Sequence, residues 1–178
     1  LDDEKGGYQI TKHLIELGHT RIAGIFKADD RQGLMRHNGY VRALKEAGIW
    51  YDPSLIIWFH TEDARVLPIE TIVEQVEQER VDSIVCYNDM TAITVINALE
   101  EKGYSVPNDV SVTGFDDSDF ASNFKVPLTT MRHPQRGLGE TAAELLVKLM
   151  KGEKPEADKM HIVMESELIV RESTKRRE

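Results

Sequence analysis

One stretch decides the fold: Leu14-Ile15-Glu16-Leu17-Gly18-His19-Thr20-Arg21-Ile22-Ala23-Gly24-Ile25-Phe26. Its first part continues a helical pattern, because apolar residues recur from Ile10 to Leu17 at the period of an α-helix. Gly18 is typical of the position just after the last helical residue. The β-rich run at residues 21–26 then predicts a strand, so helix, glycine and strand follow one another directly.

The same order returns along the chain. Helical stretches that stop at Gly48, Gly103 and Gly152 alternate with short apolar runs. The predicted strands are residues 21–26, 55–59, 83–87, 110–115, 128–131, 162–164 and 168–171. The run at residues 55–59 is continuously apolar, which favours a strand covered on both faces. The alternation predicts an α/β fold of three layers, with a doubly wound, mainly parallel sheet, right-handed crossovers and helices on both faces.

Length, charge and cysteine content narrow the function classes. A chain of 178 residues suits one domain or slightly more, and its net charge of −9 argues against direct contact with phosphate backbones. The one cysteine, Cys86, cannot form an internal disulfide, which fits a reducing cytoplasm. No apolar run is long enough for a membrane span. The basic run at residues 175–177 is interpreted as a solvated end.

Polar residues follow the predicted strands. Arg36 comes after the first strand, His60 and Glu62 after the second, Asn88 after the third and Asp116 after the fourth. Ligands of doubly wound sheets bind outside the carboxyl ends of the strands, so these side chains should meet at one edge. Together they offer donors, acceptors and an amide that is both, which suits the hydroxyls of a sugar.

Each of these residues also has a purely structural interpretation. Asn88 can cap the helix that follows it, and Asp116 can belong to a solvated turn. Arg36 can be an ordinary surface charge on a helix. Trp58 and Phe59 can stack on a sugar ring, but as residues of a buried strand they are more simply core. The sugar hypothesis therefore depends on convergence of several loops.

Several segments carry a resemblance to a known family. They are Leu14-Ile15-Glu16-Leu17-Gly18-His19-Thr20-Arg21-Ile22-Ala23, Arg36-His37-Asn38-Gly39-Tyr40, Asn88-Asp89, Val106-Pro107-Asn108-Asp109-Val110-Ser111-Val112, Gly114-Phe115-Asp116-Asp117, Pro127-Leu128-Thr129-Thr130, Leu138-Gly139-Glu140-Thr141-Ala142 and Leu168-Ile169-Val170-Arg171-Glu172-Ser173-Thr174. In this unbroken order they resemble the effector-binding domains of the lactose- and galactose-repressor type, which share the fold of periplasmic sugar-binding proteins. The resemblance covers nearly the whole chain.

The resemblance implies roles for single residues. Arg36, Asn88 and Asp116 match positions with which family members bind their effector. The position at His133 is commonly glutamine and lies by the hinge, so the histidine suggests a different ligand contact or none. The loop with His60 and Glu62 varies in the family and often carries a stacking aromatic residue; Thr61 does not supply one.

The resemblance also implies partners. It favours a sugar-sensing domain of a bacterial transcriptional repressor, with L-arabinose as the sugar and release of DNA when it binds. DNA would be contacted only through a separate N-terminal domain. Ile93 and Phe124 match positions of a homodimer interface, although both can equally be core. Catalysis, a metal, a cofactor and a membrane are not expected; in particular, His60 and His133 lack the close spacing of a metal site.

The family's cleft lies between two subdomains, and this chain is expected to hold the C-terminal one. Residues 1–178 are interpreted as a partial effector-binding domain whose C-terminal subdomain has its core at residues 18–132. Residues 133–152 are expected to cross back to the other subdomain, and residues 160–172 to form closing strands. With half the cleft wall missing, the isolated chain should bind sugar weakly.

Three rival functions remain open. Gly137-Leu138-Gly139-Glu140-Thr141-Ala142 matches the dinucleotide fingerprint, but it lies late in the chain and no βαβ unit follows it. A phosphate-accepting signalling domain would need its acidic pair at an early strand, whereas Asp116 follows the fourth. A secreted sugar receptor of a transporter would share the fold.

Overall fold

The computed structural model describes residues 1–63, 69–153 and 162–177. The helices are α1 (Asp3–Glu16), α2 (Arg31–Glu46), α3 (Ile69–Glu77), α4 (Asp89–Glu101), α5 (Asp119–Asn123) and α6 (Gln135–Met150). The strands are β1 (Ile22–Lys27), β2 (Ile56–Phe59), β3 (Ser83–Cys86), β4 (Ser111–Thr113), β5 (Thr130–Arg132) and β6 (Glu167–Ile169). None of the helices within these ranges is long and apolar enough to span a bilayer.

The main sheet has the order β2-β1-β3-β4, and all its neighbours are parallel. Ile25 lies opposite Ile57 on one side and Cys86 on the other, so β1 is central. After β1 the chain moves outward to β2 and then returns to β3 on the opposite side. The loops after β1 and β3 therefore diverge, which opens a crevice at the carboxyl edge between them.

Two apolar cores, one on each face, confirm the three-layer α/β prediction. Because side chains alternate along a strand, Ile22 and Phe26 of β1 point to one face, while Ala23 and Ile25 point to the other. The first face is covered by α1 and α2 through Ile10, Leu14, Tyr40 and Leu44. The second face is covered by α3 and α4 through Ile72, Val73, Val76, Ala92, Val95, Ile96 and Leu99.

The prediction that the second strand is covered on both faces is wrong. Ile57 and Phe59 are buried, but Trp58 between them is 38% exposed. β2 is the edge strand of the sheet, so a side chain on its face has a neighbouring strand on one side only. The indole of Trp58 lies against the rings of His37 and Phe26, with centroids 4.7 Å and 5.9 Å away. A run of apolar letters does not distinguish an edge strand from a central one.

The closing segment also differs from its prediction. Residues 167–169 form β6, which pairs antiparallel with β5 so that Leu168 lies opposite Met131. Residues 162–166 form no strand, and the carbonyl of Met164 accepts a hydrogen bond from the N–H of Asp2 instead. Residues 160 and 161 of the expected closing strands lie outside the described residues.

The basic tail is not a free end. The N–H of Lys175 donates to Ser111 Oγ, and the N–H of Arg177 donates to the carbonyl of Leu17. The guanidinium of Arg177 lies 3.1 Å from Asp82 Oδ2. The side chains of the tail are exposed, yet its backbone is bound along the domain, which charge alone did not indicate.

α1 packs closely on α2 through glycines. A Cβ on Gly39 would lie 2.0 Å from the carbonyl oxygen of Glu4, and one on Gly7 would lie 2.2 Å from that of Arg36. Both contacts are to backbone, which cannot rotate away. The subdomain core was expected to begin at Gly18; Ile10 and Leu14 of α1 also belong to it.

The close crossing predicts opposite effects of two glycine-to-alanine substitutions. Gly39→Ala should lower the free energy of unfolding by about 1–3 kcal/mol, because α1 must move away from α2. Gly139→Ala should raise it by up to about 1 kcal/mol, since Gly139 lies inside α6 with nothing near its missing Cβ. Urea unfolding of both variants measures the difference. Equal effects would contradict the close helix crossing.

Candidate ligand-binding site

The candidate site lies at the carboxyl edge of the sheet, on loops that helix caps hold in place. Asp30, three residues after the end of β1, accepts a hydrogen bond from the N–H of Gly33 at 2.7 Å and so begins α2. Asn88, two residues after the end of β3, begins α4 in the same way. Arg36 projects from the second turn of α2. The caps thus fix where the side chains of both helices stand relative to the strand ends.

Arg36 is buried, with only 3% of its surface exposed. Its Nε donates to Asp3 Oδ1 at 3.0 Å, and its Nη1 donates to the carbonyl of Tyr87 at 2.7 Å. Its Nη2 lies 3.7 Å from Asp116 Oδ1, and the guanidinium stacks 3.7 Å above the centre of the Phe115 ring. The interpretation of Arg36 as a surface charge is therefore wrong, and the guanidinium is fixed before any ligand arrives.

Asp116 presents the most accessible acceptor beside this guanidinium. Its side chain is 39% exposed, and its backbone has a φ of 105°, in a region that residues other than glycine seldom adopt. Its N–H donates to the carbonyl of Met131, which extends the sheet beyond β4. Strained backbone of this kind is concentrated at functional sites. The turn at Asp116 is thus tied to the sheet through its backbone, and its carboxylate lies beside Arg36.

The structure brings His133 into the same cluster. Its Nε2 lies 2.9 Å from Asp116 Oδ1, and its ring lies against Phe115 with centroids 5.3 Å apart. Its Nδ1 lies 3.4 Å from the hydroxyl of Ser166. A carboxylate only accepts, so Nε2 carries the proton toward Asp116. The histidine at this position therefore contacts a candidate ligand residue directly.

Asn88 is the cap that the structural interpretation predicted. Its Oδ1 accepts from the N–H and the hydroxyl of Thr91, each at 2.9 Å. That leaves the amide nitrogen as the group that can donate to a ligand. Asp89 is buried, which raises the pKa of its carboxyl, and it accepts from the N–H of Ser118 and the hydroxyl of Thr130. Asp89 therefore ties the Asp116 turn to the start of α4.

The neighbouring carboxylate, Asp117, has a structural role. Arg132 Nε and Arg171 Nη2 each donate to it at 2.6 Å. Burial by itself would raise the pKa of Asp117, but these two guanidinium groups hold it below its ordinary value. The two adjacent carboxylates after β4 thus have different roles: Asp117 is held by two arginines, and Asp116 remains accessible.

The other predicted site residues lie farther from this cluster. His60 and Glu62 are exposed on the loop after β2, and β1 separates that strand from β3. The loop is tied to the first one by Asp29, whose Oδ2 accepts from the N–H and hydroxyl of Thr61. His60 and Glu62 therefore flank the crevice from the edge strand, and the structure does not gather them with Arg36.

Ile93 and Phe124, the predicted interface residues, are both half-buried. Phe124 packs partly against the core of the α3 and α4 face. This intermediate exposure fits either interpretation, so the interface and core interpretations both stay predictions.

Sequence reasoning missed Asp3, Tyr87 and Phe115, which hold Arg36. Asp3 lies 33 positions before its partner, so no local pattern joins the two. Tyr87 directly precedes Asn88, and Phe115 directly precedes Asp116. Only one feature of the sequence could have indicated a role for these two aromatic residues, namely their position next to the predicted site residues at the ends of the third and fourth strands.

The arrangement suits recognition of hydroxyl groups. A fixed guanidinium, an accessible carboxylate, an imidazole and an amide nitrogen stand at one edge, and the buried ring of Phe115 supports the guanidinium and the imidazole from below. Within the described ranges, no three His, Cys, Asp or Glu side chains are grouped to hold a metal ion. Gly137 and Gly139 lie inside α6 and not in a turn between strand and helix, which argues against the dinucleotide interpretation.

The fold defines an α/β domain of the kind found in periplasmic binding proteins, with polar groups gathered at the carboxyl edge of its sheet. The chain belongs to the family of periplasmic binding protein-like domains, whose model matches residues 11–174. It is 42% identical over 179 aligned residues to the arabinose metabolism transcriptional repressor of Geobacillus stearothermophilus, covering 98% of this chain and 49% of the relative. The corresponding repressor of Halalkalibacterium halodurans is 40% identical over 98% of this chain and 48% of its own length.

Solved structures agree with this assignment. A complex of the transcriptional regulator CelR with cellobiose superposes with a TM-score of 0.86 at 35% identity, over 97% of this chain and 52% of that one. The predicted resemblance to the lactose- and galactose-repressor type is thereby confirmed, as is the periplasmic-binding-protein-like fold. The chain spans about half the length of the curated relatives it matches.

Proposed function

We propose that this chain is the sugar-sensing half of a bacterial transcriptional repressor that acts in the cytoplasm and binds its sugar without transforming it. The observation that carries the proposal is the meeting of Arg36, Asp116 and His133 at one sheet edge, beside the amide of Asn88. Sugar hydroxyls donate to the carboxylate and accept from the guanidinium, so these two groups have complementary partners in a sugar.

L-Arabinose is the proposed effector, and its binding is proposed to release DNA. Support comes from the two relatives above, both described as repressors of arabinose metabolism. A site built to pair with hydroxyls rejects analogues that lack one, because a buried polar group is then left unpaired. DNA would be contacted by a separate N-terminal domain, since the net charge of −9 on this chain opposes contact with phosphate backbones.

The proposed second wall of the cleft is the other subdomain, reached through residues 133–152. α6 supports this, because none of its sixteen residues is buried although several are apolar. Its exposed large apolar residues are Leu138, Leu146, Val147, Leu149 and Met150. An amphipathic helix whose apolar side faces solvent needs a partner surface. We assign that surface to the half of the protein that this chain does not span.

The proposed assembly is a homodimer through α4 and α5. Ile93 and Phe124 remain the proposed interface residues, and two neighbours add exposed apolar surface: Met90 is 56% exposed and Phe120 is 63% exposed. Sugar binding would favour one relative orientation of the subdomains and thereby set the spacing of the DNA-binding domains. It can shift that equilibrium only by its differential affinity for the two orientations.

A sugar screen on the full-length protein tests the function. L-Arabinose at about one hundred times its dissociation constant should stabilise the protein by about 2.7 kcal/mol and raise its thermal midpoint accordingly. D-Arabinose, which has the same composition and the mirror-image arrangement of hydroxyls, is the matched control and should raise the midpoint little.

Two further results complete that experiment. The chain of residues 1–178 alone should bind L-arabinose much more weakly than the full-length protein, because one wall of the cleft is missing. If no sugar in a panel of pentoses and hexoses changed the midpoint of the full-length protein, the proposal of a sugar sensor would be wrong.

A further inference from the structure

Tyr87 contacts the site at three points, although it is not one of the residues proposed to bind the ligand. Its carbonyl accepts from Arg36 Nη1 at 2.7 Å. Its ring lies beside the same guanidinium, with Arg36 Cζ 5.0 Å from the ring centre. Its hydroxyl donates to Asp30 Oδ2 at 2.6 Å. One residue at the end of β3 thus holds both a charged group and a loop that follow β1.

Asp30 transmits this contact to the helix that carries Arg36. One of its oxygens accepts from the N–H of Gly33 and starts α2, while the other accepts from Tyr87. Lys27 at the end of β1 adds an ion pair to Asp30 at 3.2 Å. The start of α2 and the guanidinium on its second turn are therefore both tied to Tyr87, from two directions.

The hydroxyl of Tyr87 is a stable donor. Burial raises the pKa of Tyr87, and the carboxylate of Asp30 raises it further, so the phenol keeps its proton at neutral pH. Asp30 stays deprotonated. Burial by itself would raise the pKa of its carboxyl, but the hydrogen bonds from Tyr87 and Gly33 outweigh burial and lower it. The Tyr87–Asp30 bond is thus a hydrogen bond to a charged acceptor, the stronger class.

We propose that Tyr87 is a positioning residue that orients Arg36 toward the ligand across the crevice between β1 and β3. The inference rests on the proposed function, because it assigns a task in binding the same sugar. Its physical basis is preorganisation: a guanidinium held from the opposite strand loses less freedom when a ligand pairs with it. A residue that only stabilised the fold would not need to contact both the guanidinium and the start of its helix.

The test compares two tyrosine-to-phenylalanine variants in the full-length protein. Tyr87→Phe removes the hydroxyl and keeps the ring and the carbonyl. Tyr8→Phe is the matched control, because the hydroxyl of Tyr8 also donates to a carboxylate, Glu46 Oε2 at 2.7 Å, but on an exposed part of α1 and α2. L-Arabinose affinity is measured by calorimetry, and the thermal midpoint is measured without sugar.

Tyr87→Phe is expected to weaken sugar binding by about three- to tenfold, the range of one hydrogen bond, while Tyr8→Phe leaves the affinity unchanged. A lower thermal midpoint of Tyr87→Phe with unchanged affinity would mean a structural role alone and would overturn the inference. Loss of binding in Arg36→Met, with Tyr87→Phe binding like the wild type, would overturn the inference and leave the proposed function standing. A wild-type protein that bound no sugar would overturn both.

Discussion

Arg36→Met is expected to abolish the sugar response and to lower the free energy of unfolding by about 3–5 kcal/mol. The stability loss follows from Asp3, whose side chain is only 11% exposed and whose partner is the Nε of Arg36 at 3.0 Å. Removing the guanidinium leaves that carboxylate buried without its cation. It also removes the hydrogen-bond donor to the carbonyl of Tyr87. The binding loss follows because Arg36 is the described cation of α2 that lies beside Asp116, so the substitution removes the guanidinium proposed to donate to the sugar.

A double substitution separates the two losses. Arg36→Met with Asp3→Asn removes both charges, so about half or more of the lost stability should return, as expected when neither member of a buried pair is left alone. The sugar response should not return, because the ligand needs the guanidinium and not Asp3. Urea unfolding of the chain gives the stability, and calorimetry on the full-length protein gives the binding.

The result that would contradict this role is clear-cut. If the double variant regained both stability and sugar binding, Arg36 would serve the fold alone. Arg36→Lys adds a finer comparison, since lysine keeps the charge but not the planar fork that pairs with two oxygens. It should therefore retain more stability than Arg36→Met and still bind sugar poorly.

The fold could be predicted from the sequence because its signals are local. Gly18, Gly48, Gly103 and Gly152 all have positive φ, between 70° and 92°, at the ends of the helices that the periodicity predicted. The parallel sheet followed from the alternation of helices and strands. What local patterns cannot report is the position of a strand within a sheet. For that reason Trp58 was expected in the core and is 38% exposed at the edge.

The site was predictable in outline and not in its contacts. Chain order placed Arg36, Asn88 and Asp116 at strand ends, and the parallel sheet then brought those ends together. The burial of Arg36 depends on Asp3, a partner from another helix, and pairings of this range leave no periodic trace. The same reason hides the anchoring of the tail, where Arg177 reaches Asp82 from 95 positions away.

Asp82 carries the second large expected effect, far from the ligand site, at the amino ends of the strands. Its side chain is 1% exposed and accepts from the N–H of Arg21 at 3.1 Å and from His19 Nδ1 at 3.1 Å. The guanidinium of Arg177 lies 3.1 Å away. Asp82→Asn should lower the free energy of unfolding by about 3 kcal/mol or more, because several donors lose one buried charged acceptor.

The effect should depend on pH in a defined direction. Burial raises the pKa of Asp82, but the hydrogen bond and charge of His19, the N–H of Arg21 and the charge of Arg177 outweigh it and hold the pKa below its ordinary value. The folded protein therefore binds this proton less readily than the unfolded chain. The stabilisation is fully present above the unfolded pKa of about 3.9 and is lost as the pH falls through the lower folded value.

Urea unfolding of the wild type and of Asp82→Asn should accordingly give the largest difference near neutral pH and a shrinking one below about pH 4. Asp52→Asn is the matched control: Asp52 also accepts from a backbone N–H and a hydroxyl, both of Ser54, and pairs with Arg80, but its side chain is 40% exposed. Its substitution should cost at most about 1 kcal/mol, because water screens an exposed pair.

If both substitutions had equally small effects, burial would not be what makes the Asp82 cluster strong. If the Asp82 difference persisted unchanged into acid, the lowered pKa could not be its source, and the cluster would then act through packing of the tail rather than through charge.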